Sequence, residues 1–398
     1  MFNPIIFEHE ELEKLNINGP LKRGTLVEIH IADIHFGVIN PKVQYDILKE
    51  QFLDKIRTIH FDVLSIDGDL FDHKFMSNSD PVMYASLFIN EITNICREKN
   101  ATLVIIHGTY FHDAGQLKLF YHYLKDPTLD IRIVEEVRFE YIKGAKILCI
   151  PELYGKGSDY YNYFLWDSGD YDGVFMHGAI KGSIYAEEGV NSSLDSTKAP
   201  IFTIDDFGLC KGPIMSGHVH VSGCYNKHFY HIGNPIRDKF GEEQPKGFMV
   251  LLHNLDTGGY YVHLEEITSF RYDTINLDSM LTSDPKDVIS YIDNLKASGI
   301  DNIRLEITEE PDNIIKGNID ILTKYYSNSN SVKIKCKDFK KEQIRQEAQD
   351  FMKENEQYSF ILDKELNNYE ILSKYINLKK GYVYISADEL KQLILEEI

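Results

Sequence analysis

The chain has 398 residues, and its 43% hydrophobic and 12% aromatic content is that of a folded protein with sizeable cores, not of a disordered one. A formal net charge of −20 excludes a broadly basic surface, so the chain is not expected to bind nucleic acid nonspecifically by itself. No apolar stretch approaches the roughly 20 residues that span a bilayer, so no membrane association is expected.

The chain begins with a segment, residues 1–24, that is acidic where a secretory signal would be basic, and we treat it as an N-terminal extension. The five cysteines are scattered along the chain without a C-x-x-C pair, so neither a disulfide framework nor a thiolate zinc site is indicated. Both features are typical of a cytoplasmic protein with reduced thiols.

Residues 25–267 are predicted to form one domain in which strands and helices alternate. Apolar residues recur at helical spacing over residues 41–59 and 82–99. Short apolar runs predict strands at 26–31, 63–66, 103–106, 174–175 and 214–215, followed by shorter strands at 229–232, 248–252 and 260–264. This alternation predicts a layered α/β architecture.

Two further units are predicted towards the C-terminus. Residues 268–335 combine helices at 288–295 and 314–325 with strands at 303–307 and 332–334, a pattern typical of a small α+β domain. Residues 336–398 are charged and mainly helical, and their last helix opens with a capping box at 386–389. This helix either packs on its own domain or docks a partner through one apolar face, formed by Leu390, Leu393, Ile394 and Ile398.

Short motifs with metal-ligand side chains follow five of the predicted strands. In chain order they are Asp33-x-His35, Gly68-Asp69-x-x-Asp72, His112-Asp113, His177-Gly178 and Gly217-His218-x-His220. A single Asp-x-His or Gly-Asp is more often a turn, but five such motifs in sequence are hard to produce by chance. Strand ends are where α/β sheets assemble their sites, and carboxylates with imidazoles suit Mn²⁺-, Fe²⁺- or Zn²⁺-class ions better than Ca²⁺.

These residues predict a site for two divalent metal ions. One ion is expected to bind Asp33, His35 and His220. The other is expected to bind His177 and His218, and Asp69 bridges both ions. Two cations about 3.5–4 Å apart activate a shared water and stabilise the in-line transition state of phosphoester hydrolysis. His112 is then the candidate acid, with Asp113 or Asp72 orienting its imidazole. For Asp72, a helix N-cap or an acceptor role is favoured over direct ligation.

The motif set resembles the calcineurin-like metallophosphoesterase superfamily. After His220, the stretches 232–235 (Ile-Gly-Asn-Pro), 240–243 (Phe-Gly-Glu-Glu) and 246–248 (Lys-Gly-Phe) are similar to the segment that closes the phosphoesterase domain of SbcD-type DNA double-strand-break repair nucleases. The resemblance covers roughly residues 26–335. It implies a metallophosphoesterase β-sandwich flanked by helices, a DNA-capping domain at 268–335 and a C-terminal region that docks a partner.

The same resemblance implies an activity. Such proteins are Mn²⁺-dependent exo- and endonucleases of DNA recombination and repair. They work with an SMC-like ATPase of the SbcC type, which binds the nuclease through its C-terminal helices, and a homodimer is expected. The two cofactor ions of this chain would then be Mn²⁺, and its substrate DNA.

One position departs from the family pattern. Where the family has Gly-Asn-His-Asp, with the asparagine ligating the second ion, this chain has Gly108-Thr109-Tyr-Phe-His112-Asp113. The asparagine is absent and two residues intervene, so either the Thr109 hydroxyl or a water would replace the amide oxygen. Both are poorer ligands, so the second ion is expected to bind weakly.

Two other functions are left open by the sequence. A stand-alone phosphatase or nucleotide phosphodiesterase could use the same scaffold. A protein phosphatase is disfavoured, because His73 and Lys74 follow Asp72 where protein-phosphatase relatives carry an arginine directly after this acid. A metal-binding or scaffolding subunit with little catalysis is supported by the missing asparagine and the net charge of −20, and opposed by the other ligands.

Overall fold

The computed structural model describes residues 24–156, 158–181, 200–226, 228–242, 244–278, 280, 284–308, 313–327, 329, 331–336, 368–380 and 386. They form two six-stranded mixed sheets flanked by helices, with two smaller sheets of three and two strands. The predicted α/β class is confirmed by this architecture.

The strands, in chain order, are β1 (Thr25–Ile31), β2 (Val63–Asp67), β3 (Thr102–Ile106), β4 (Asp130–Val134), β5 (Arg138–Ile142), β6 (Ala145–Ile150), β7 (Gly173–His177), β8 (Ala179–Ile180), β9 (Ile201–Phe202), β10 (Ile214–Gly217), β11 (Gly223–Asn226), β12 (Phe229–His231), β13 (Gly247–Asn254), β14 (Tyr260–Glu266), β15 (Tyr272–Asn276), β16 (Asn302–Ile307) and β17 (Val332–Cys336). All of the strands predicted from apolar runs are among them.

The α-helices are α1 (Pro41–Leu48), α2 (Asp54–Thr58), α3 (Asp80–Lys99), α4 (Tyr110–Asp113), α5 (Ser158–Asn162), α6 (Pro285–Ala297), α7 (Asn313–Tyr325) and α8 (Asn368–Lys380). Two π-helical segments (Lys49–Leu53 and Tyr163–Asp167) and two 3₁₀ helices (Gln116–Lys125 and Ile204–Phe207) complete the set. The first π segment joins α1 to α2, and together they are the helix predicted at 41–59.

The ends of the long helices follow from local sequence. The Asn40 side chain accepts from the backbone N–H groups of Lys42 and Val43, and Pro41 occupies the first helical position of α1. At the C-terminal end of α3, Asn100 adopts a left-handed conformation with φ 54°, which ends the helix. These residues set where α1 begins and where α3 ends before the chain enters β3.

Parallel strands dominate both large sheets. The first has the order β14-β13-β1-β2-β3-β4, in which β1 to β4 are parallel and β13 and β14 are antiparallel additions. The second has the order β11-β12-β10-β7-β6-β5, with β12, β10, β7 and β6 parallel. Because neighbouring parallel strands end at the same edge, the segments after β1, β2 and β3 lie side by side, as do those after β6, β7 and β10.

Apolar side chains hold the two sheets together. One cluster joins them and includes Val63 and Ile106 of the first sheet with Ile147 and Phe175 of the second, each at most 1% exposed. Burying a side chain of this size contributes about 1.5–3 kcal/mol. Further clusters pack α1, α2 and α3 on the first sheet and α5 on the second. The strand ends are therefore fixed relative to one another.

A charged network interrupts this apolar core. His30 of β1 lies between two carboxylates, with its Nδ1 2.8 Å from Asp67 Oδ2 and its Nε2 3.2 Å from Glu28 Oε2. His253 of β13 adds a contact of 3.1 Å from its Nδ1 to Glu28 Oε1. All four side chains are at most 1% exposed, so each charge depends on its partners for compensation.

The described residues divide into two compact units. One contains the residues up to 273 together with 295–303, and the other contains 274–294 and the residues from 304 on. The third sheet has the order β15-β16-β17, and α6 and α7 are the helices predicted at 288–295 and 314–325. The predicted domain boundaries at 267 and 335 stay predictions.

Two predicted features lie outside the described residues. The N-terminal extension is described only at Gly24, and after residue 336 the description covers only α8 and Ser386. The predicted docking face, Leu390, Leu393, Ile394 and Ile398, is thus not among them. Across the part of the chain that is described, no helix is both long and apolar enough to cross a bilayer.

Candidate metal centre

The predicted motifs meet where the carboxyl ends of the parallel strands of the two sheets adjoin. Their positions are Asp33 and His35 after β1, Asp69 and Asp72 after β2, His112 and Asp113 after β3, His177 at the end of β7, and His218 and His220 after β10. The structure brings the six predicted ligands into overlapping groups whose ligand atoms lie within 4.8 Å of one another. The distances between these ligand atoms indicate what each group can bind.

The backbone at these strand ends is unusual. Asp33, His35 and Asp69 each have a φ of 50°, and His218 has a φ of 85°. Such left-handed conformations of non-glycine residues cost about 1–3 kcal/mol each and persist only where the surroundings over-determine them. Four of them among six predicted ligands indicate that the loops are shaped by the site and not by chain propensity.

Glycines let these loops approach closely. A Cβ atom on Gly68, whose φ is 91°, would lie 2.1 Å from His177 Nδ1. A Cβ atom on Gly108 would lie 2.1 Å from Asp69 Oδ1. Both positions therefore require glycine, because any side chain would displace a predicted ligand.

The first group of ligand atoms comes from the loops after β1 and β10. His35 Nε2 lies 3.2 Å from His220 Nε2. The Asp33 carboxylate completes the group and accepts the backbone N–H of His218 at 2.9 and 3.0 Å, which ties the two loops together. Two imidazole nitrogens at this separation either share one proton or direct both lone pairs at one cation.

The second group comes from the loops after β6, β7 and β10. His177 donates its Nδ1–H to the backbone carbonyl of Asp67 at 2.8 Å, which leaves Nε2 facing the site. Glu152 Oε2 lies 3.7 Å from this Nε2 and 3.0 Å from His218 Nδ1. The Thr109 hydroxyl is 3.4 Å from His177 Nε2.

Asp69 lies between the two groups. Its Oδ2 is 3.7 Å from His35 Nε2 in the first and 3.3 Å from His177 Nε2 in the second. Thr109 fixes this carboxylate, since its backbone N–H donates to Oδ1 at 2.6 Å and its hydroxyl donates to Oδ2 at 3.2 Å. One oxygen of Asp69 is thus placed to serve two cations.

The spacing of the ligand atoms fits divalent ions. Nitrogen and oxygen ligands about 2.0–2.2 Å from a cation lie about 3 Å from each other. The observed separations are 3.0 Å for Glu152–His218, 3.2 Å for His35–His220 and 3.3 Å for Asp69–His177. Imidazoles and carboxylates are also the donor types that such ions take.

The electrostatics separate the two groups. Burial lowers the pKa of His35 to about 4 and, with His35 beside it, lowers that of His220 to about 2, so both imidazoles are neutral, as ligation requires. Burial alone would raise the pKa of Asp69, but the adjacent His177 outweighs it and holds that pKa well below the usual carboxyl range. In return, the Asp69 carboxylate overcomes burial and raises the pKa of His177.

His112 reaches the site in spite of the two inserted residues. They form one turn of helix, α4, which leaves Tyr110 and Phe111 60% and 70% exposed and turns His112 inward. Its Nδ1–H bonds the backbone carbonyl of Asp72, so Nε2 faces the site, 4.0 Å from Asp69 Oδ2. The side chain is 33% exposed, which leaves room for a ligand beside it.

The predicted orienting carboxylates act differently from expectation. Asp113 is fully buried and accepts three backbone N–H groups, those of Leu70 and Phe71 on Oδ1 and that of Gly108 on Oδ2. It therefore fixes the loops after β2 and β3 and does not orient the His112 ring. The Asp72 carboxylate binds His73 Nδ1 at 2.8 Å, and it is the Asp72 carbonyl that orients His112.

No helix begins at Asp72, so the N-cap reading of this residue is wrong. Its Oδ1 lies 3.9 Å from His35 Nδ1, which places the carboxylate on the side of the ring opposite the predicted ligand atom, Nε2. An acceptor position of this kind agrees with the alternative that the sequence favoured over direct ligation.

Glu152 was missed by sequence reasoning. It is 1% exposed and follows β6, one residue after Pro151. The signal was the same as for the predicted ligands, an apolar run at 145–150 followed by an acid, but Pro-Glu is not a recognised ligand motif. The register of β6 beside β7 brings this acid to the second group.

A buried lysine holds the loop that carries His220. Lys246 is 3% exposed, donates from Nζ to the His220 carbonyl at 2.7 Å and to Asn234 Oδ1, and lies 3.2 Å from Glu242 Oε1. Asn234, Glu242 and Lys246 all belong to the segment 232–248. This segment therefore supports the site from behind.

Comparisons with known proteins add little. No family model matches the chain, and no curated protein matches it. Among solved structures, a cold-active protein tyrosine phosphatase is similar at 12% identity and a TM-score of 0.28, covering 63% of this chain and 82% of that chain; a point mutant of such an enzyme gives the same identity and TM-score over 84% of its chain. A likeness of this extent carries no argument, so the function is argued from the site.

Proposed function

We propose that the chain is a two-metal phosphodiesterase of the calcineurin-like superfamily and, within it, an SbcD-type DNA nuclease. The main support is the position of Asp69, whose Oδ2 lies 3.7 Å from His35 Nε2 and 3.3 Å from His177 Nε2. One carboxylate shared by two groups of ligands is the arrangement that two-metal hydrolysis of phosphoesters requires.

Bound divalent ions, Mn²⁺ in this proposal, supply positive charge for the phosphoryl oxygens and lower the pKa of an attacking water. The residues of the chain hold them in place. His35 and His220 offer neutral imidazoles, and Asp33 and Asp69 offset part of the charge. The hydrogen bond from His177 to the Asp67 carbonyl fixes which nitrogen of that ring can ligate.

His112 supplies the proton in this mechanism. Because its Nδ1–H is bonded to the Asp72 carbonyl, its Nε2 faces the reaction centre and, when protonated, donates to the departing sugar oxygen. Its position next to the His35 ring, with ring centroids 4.6 Å apart, keeps it beside the first group. General acid catalysis of this kind contributes about 10²–10⁴-fold to a rate.

DNA as the substrate is supported by the motif resemblance and by the role of the segment 232–248 behind His220. The net charge of −20 does not favour DNA binding by the chain alone, since phosphate contacts need basic groups. We therefore propose that an SMC-like ATPase of the SbcC type supplies many of the contacts that bind DNA. We also propose that the nuclease subunit works as a homodimer.

The same charge favours a second candidate function, a stand-alone phosphodiesterase for small substrates. Such an enzyme would need the ligands and His112 but no DNA-binding surface. This candidate function gives no role to the buried arrangement of segment 232–248 or to the second compact unit. The experiment below separates the two.

The test is degradation of linear duplex DNA in Mn²⁺ by the parent chain, by Asp69→Asn and by the control Asp46→Asn, whose carboxylate is 53% exposed on α1 and pairs with Lys42. We expect cleavage by the parent and the control and none by Asp69→Asn. Turnover of bis(p-nitrophenyl) phosphate without loss of DNA would favour the small-substrate enzyme. Inactivity towards both substrates, with metal bound, would favour a scaffolding subunit.

A further inference from the structure

We propose that Glu152 is the protein ligand that completes the second metal position, in place of the side chain that the sequence lacks at Thr109. The proposal rests on the two-metal function above and deepens it. Asp69, His177 and His218 give that position three ligands, and Glu152 Oε2 lies 3.0 Å from His218 Nδ1 and 3.7 Å from His177 Nε2. Its oxygen thus lies within 4.8 Å of ligand atoms of His177 and His218.

Thr109 is engaged elsewhere. Its backbone N–H and its hydroxyl both donate to the Asp69 carboxylate, at 2.6 and 3.2 Å. A hydroxyl that donates in this way holds the bridging carboxylate, and its oxygen also lies 3.4 Å from Glu152 Oε2, a second acceptor for the same O–H. Thr109 is therefore a positioning residue for Asp69, and the open ligand position falls to Glu152.

The buried carboxylate of Glu152 needs a positive charge beside it. Its side chain is fully buried, and within the described residues no lysine or arginine forms an ion pair with it. A carboxylate removed from water costs several kcal/mol unless a charge compensates it. The histidines beside it can compensate only when protonated, whereas a divalent ion compensates it with both imidazoles neutral.

The structure also offers a competing role, in which Glu152 only orients the His218 ring by accepting its Nδ1–H. In that case Nδ1 carries a proton and cannot ligate, so His218 would have to turn its Nε2 to the ion. The Nδ1 atom is the one that lies 3.0 Å from Glu152 Oε2, and His218, His177 and Glu152 can offer ligand atoms within 4.8 Å of one another. The His218 and His177 rings stand perpendicular at 89° with centroids 5.4 Å apart. This arrangement favours ligation through Nδ1 with Glu152 as a neighbouring ligand.

A carboxylate in this position changes the affinity expected from the sequence. With Asp33 and Asp69, Glu152 makes three carboxylates for four positive charges, where a hydroxyl or a water would leave two. The second ion should therefore bind tightly, contrary to the weak binding that the Thr109 reading predicts.

The test counts bound Mn²⁺ by electron paramagnetic resonance of the free ion during titration of the full chain. We compare the parent with Glu152→Ala and with Glu152→Gln, which keeps an oxygen of the same reach without the charge. The control is Glu135→Gln, because Glu135 lines the same pocket as Glu152 but accepts a hydrogen bond from the Tyr121 hydroxyl. Circular dichroism of each variant checks folding.

We expect two Mn²⁺ per parent chain and per Glu135→Gln chain. In Glu152→Ala the second ion should bind more than about 100-fold more weakly, since even the loss of an outer-shell partner costs about 10–100-fold. Glu152→Gln should weaken binding of the second ion less than Glu152→Ala does. If the alanine variant is unfolded, the glutamine variant tests whether Glu152 is a ligand. Two ions bound with parental affinity by a folded Glu152 variant would overturn the proposal and leave the two-metal function standing. A parent that binds fewer than two ions would overturn both.

Discussion

His35 and His220, which lie 185 residues apart in the chain, face each other with their Nε2 atoms 3.2 Å apart. Burial lowers the pKa of both, to about 4 and about 2, so at neutral pH each ring is neutral, and a ring that carries its one proton on Nδ1 directs the Nε2 lone pair into this gap. A cation that accepts both lone pairs is the natural complement of the pair. Metal binding should therefore stabilise the fold.

The first prediction concerns this stabilisation. Mn²⁺ at about 100 times its dissociation constant should raise the free energy of unfolding of the parent by about 3 kcal/mol per site. In His35→Ala the increase should be at least halved, while exposed His60→Ala should behave as the parent. Thermal unfolding with Mn²⁺ and with a chelator measures the difference. An equal Mn²⁺ effect in His35→Ala would remove His35 from the ligand set.

The second prediction uses a matched pair of glycines. Gly68 and Gly144 have φ values of 91° and 92°, but a Cβ would meet His177 Nδ1 at 2.1 Å in the first and no atom within 4 Å in the second. Gly144→Ala should lose about 1 kcal/mol, from the backbone conformation alone. Gly68→Ala should lose about 3 kcal/mol or more and also bind Mn²⁺ poorly.

Urea unfolding of both variants, with a Mn²⁺ titration beside it, separates conformation from contact. Equal losses of stability in the two variants would show that the close approach of the Gly68 loop to His177 is unimportant.

The third prediction concerns the buried carboxylate of Asp113, which accepts three backbone N–H groups. Burial, and then Asp69, raise the pKa of Asp113 to about 6, so an amide would relieve some repulsion. It would, however, turn its NH₂ towards at least one donor, which costs about 1–3 kcal/mol. We expect Asp113→Asn to be destabilised by about 2 kcal/mol in urea unfolding, and the exposed control Asp170→Asn by less than about 0.5 kcal/mol.

If Asp113→Asn were as stable as the parent, its role in joining the loops after β2 and β3 would have to be abandoned. An effect confined to Mn²⁺ affinity would instead point to Asp113 as part of the ligand sphere.

The fourth prediction separates acid catalysis from ligation at His112. His112→Gln should keep two Mn²⁺ per chain but cleave DNA about 10²–10⁴-fold more slowly, because the proton donor is lost. Turnover of bis(p-nitrophenyl) phosphate should fall much less, because p-nitrophenolate departs without a proton. A similar loss on both substrates, or loss of an ion, would show that His112 acts as a ligand through the Nε2 that lies near Asp69.

The sequence predicts which residues meet at the candidate metal centre for a simple reason. Asp33, Asp69 and His177 each follow or end an apolar run, and parallel strands that end at one edge must bring such residues together. His112 stays in the set despite its insertion, because the extra residues form a helical turn, α4. These predictions hold because short stretches of sequence determine both where a strand ends and which of its residues are buried.

Other features could not be predicted in this way. The contact of Glu152 with His218 depends on the order β10-β7-β6 in the second sheet, which no local pattern encodes. The role of Asp113 depends on backbone donors about 40 residues earlier in the chain, at Leu70 and Phe71. The domain partition and the C-terminal docking face stay predictions.

The last prediction is a pH dependence that arises away from the candidate metal centre. Burial alone would lower the pKa of His30, but Asp67, and then Glu28, raise it to about 9, above the unfolded value of about 6.5. A histidine with a raised folded pKa stabilises the fold fully below pH 6.5 and loses that contribution as the pH rises through about 9. The loss should be about 2–3 kcal/mol.

Urea unfolding at pH 6.5 and pH 9.5 measures this contribution to the free energy of unfolding. A chelator is present so that metal binding does not contribute. The parent should lose more stability between these two values than His30→Gln, whose amide cannot titrate. The two chains share every group outside this network, so the difference between their slopes reports His30 together with the Glu28 and Asp67 carboxyls that it contacts. Equal slopes would mean that the imidazole between Glu28 and Asp67 is neutral, and that one of these two buried carboxyls carries the proton instead.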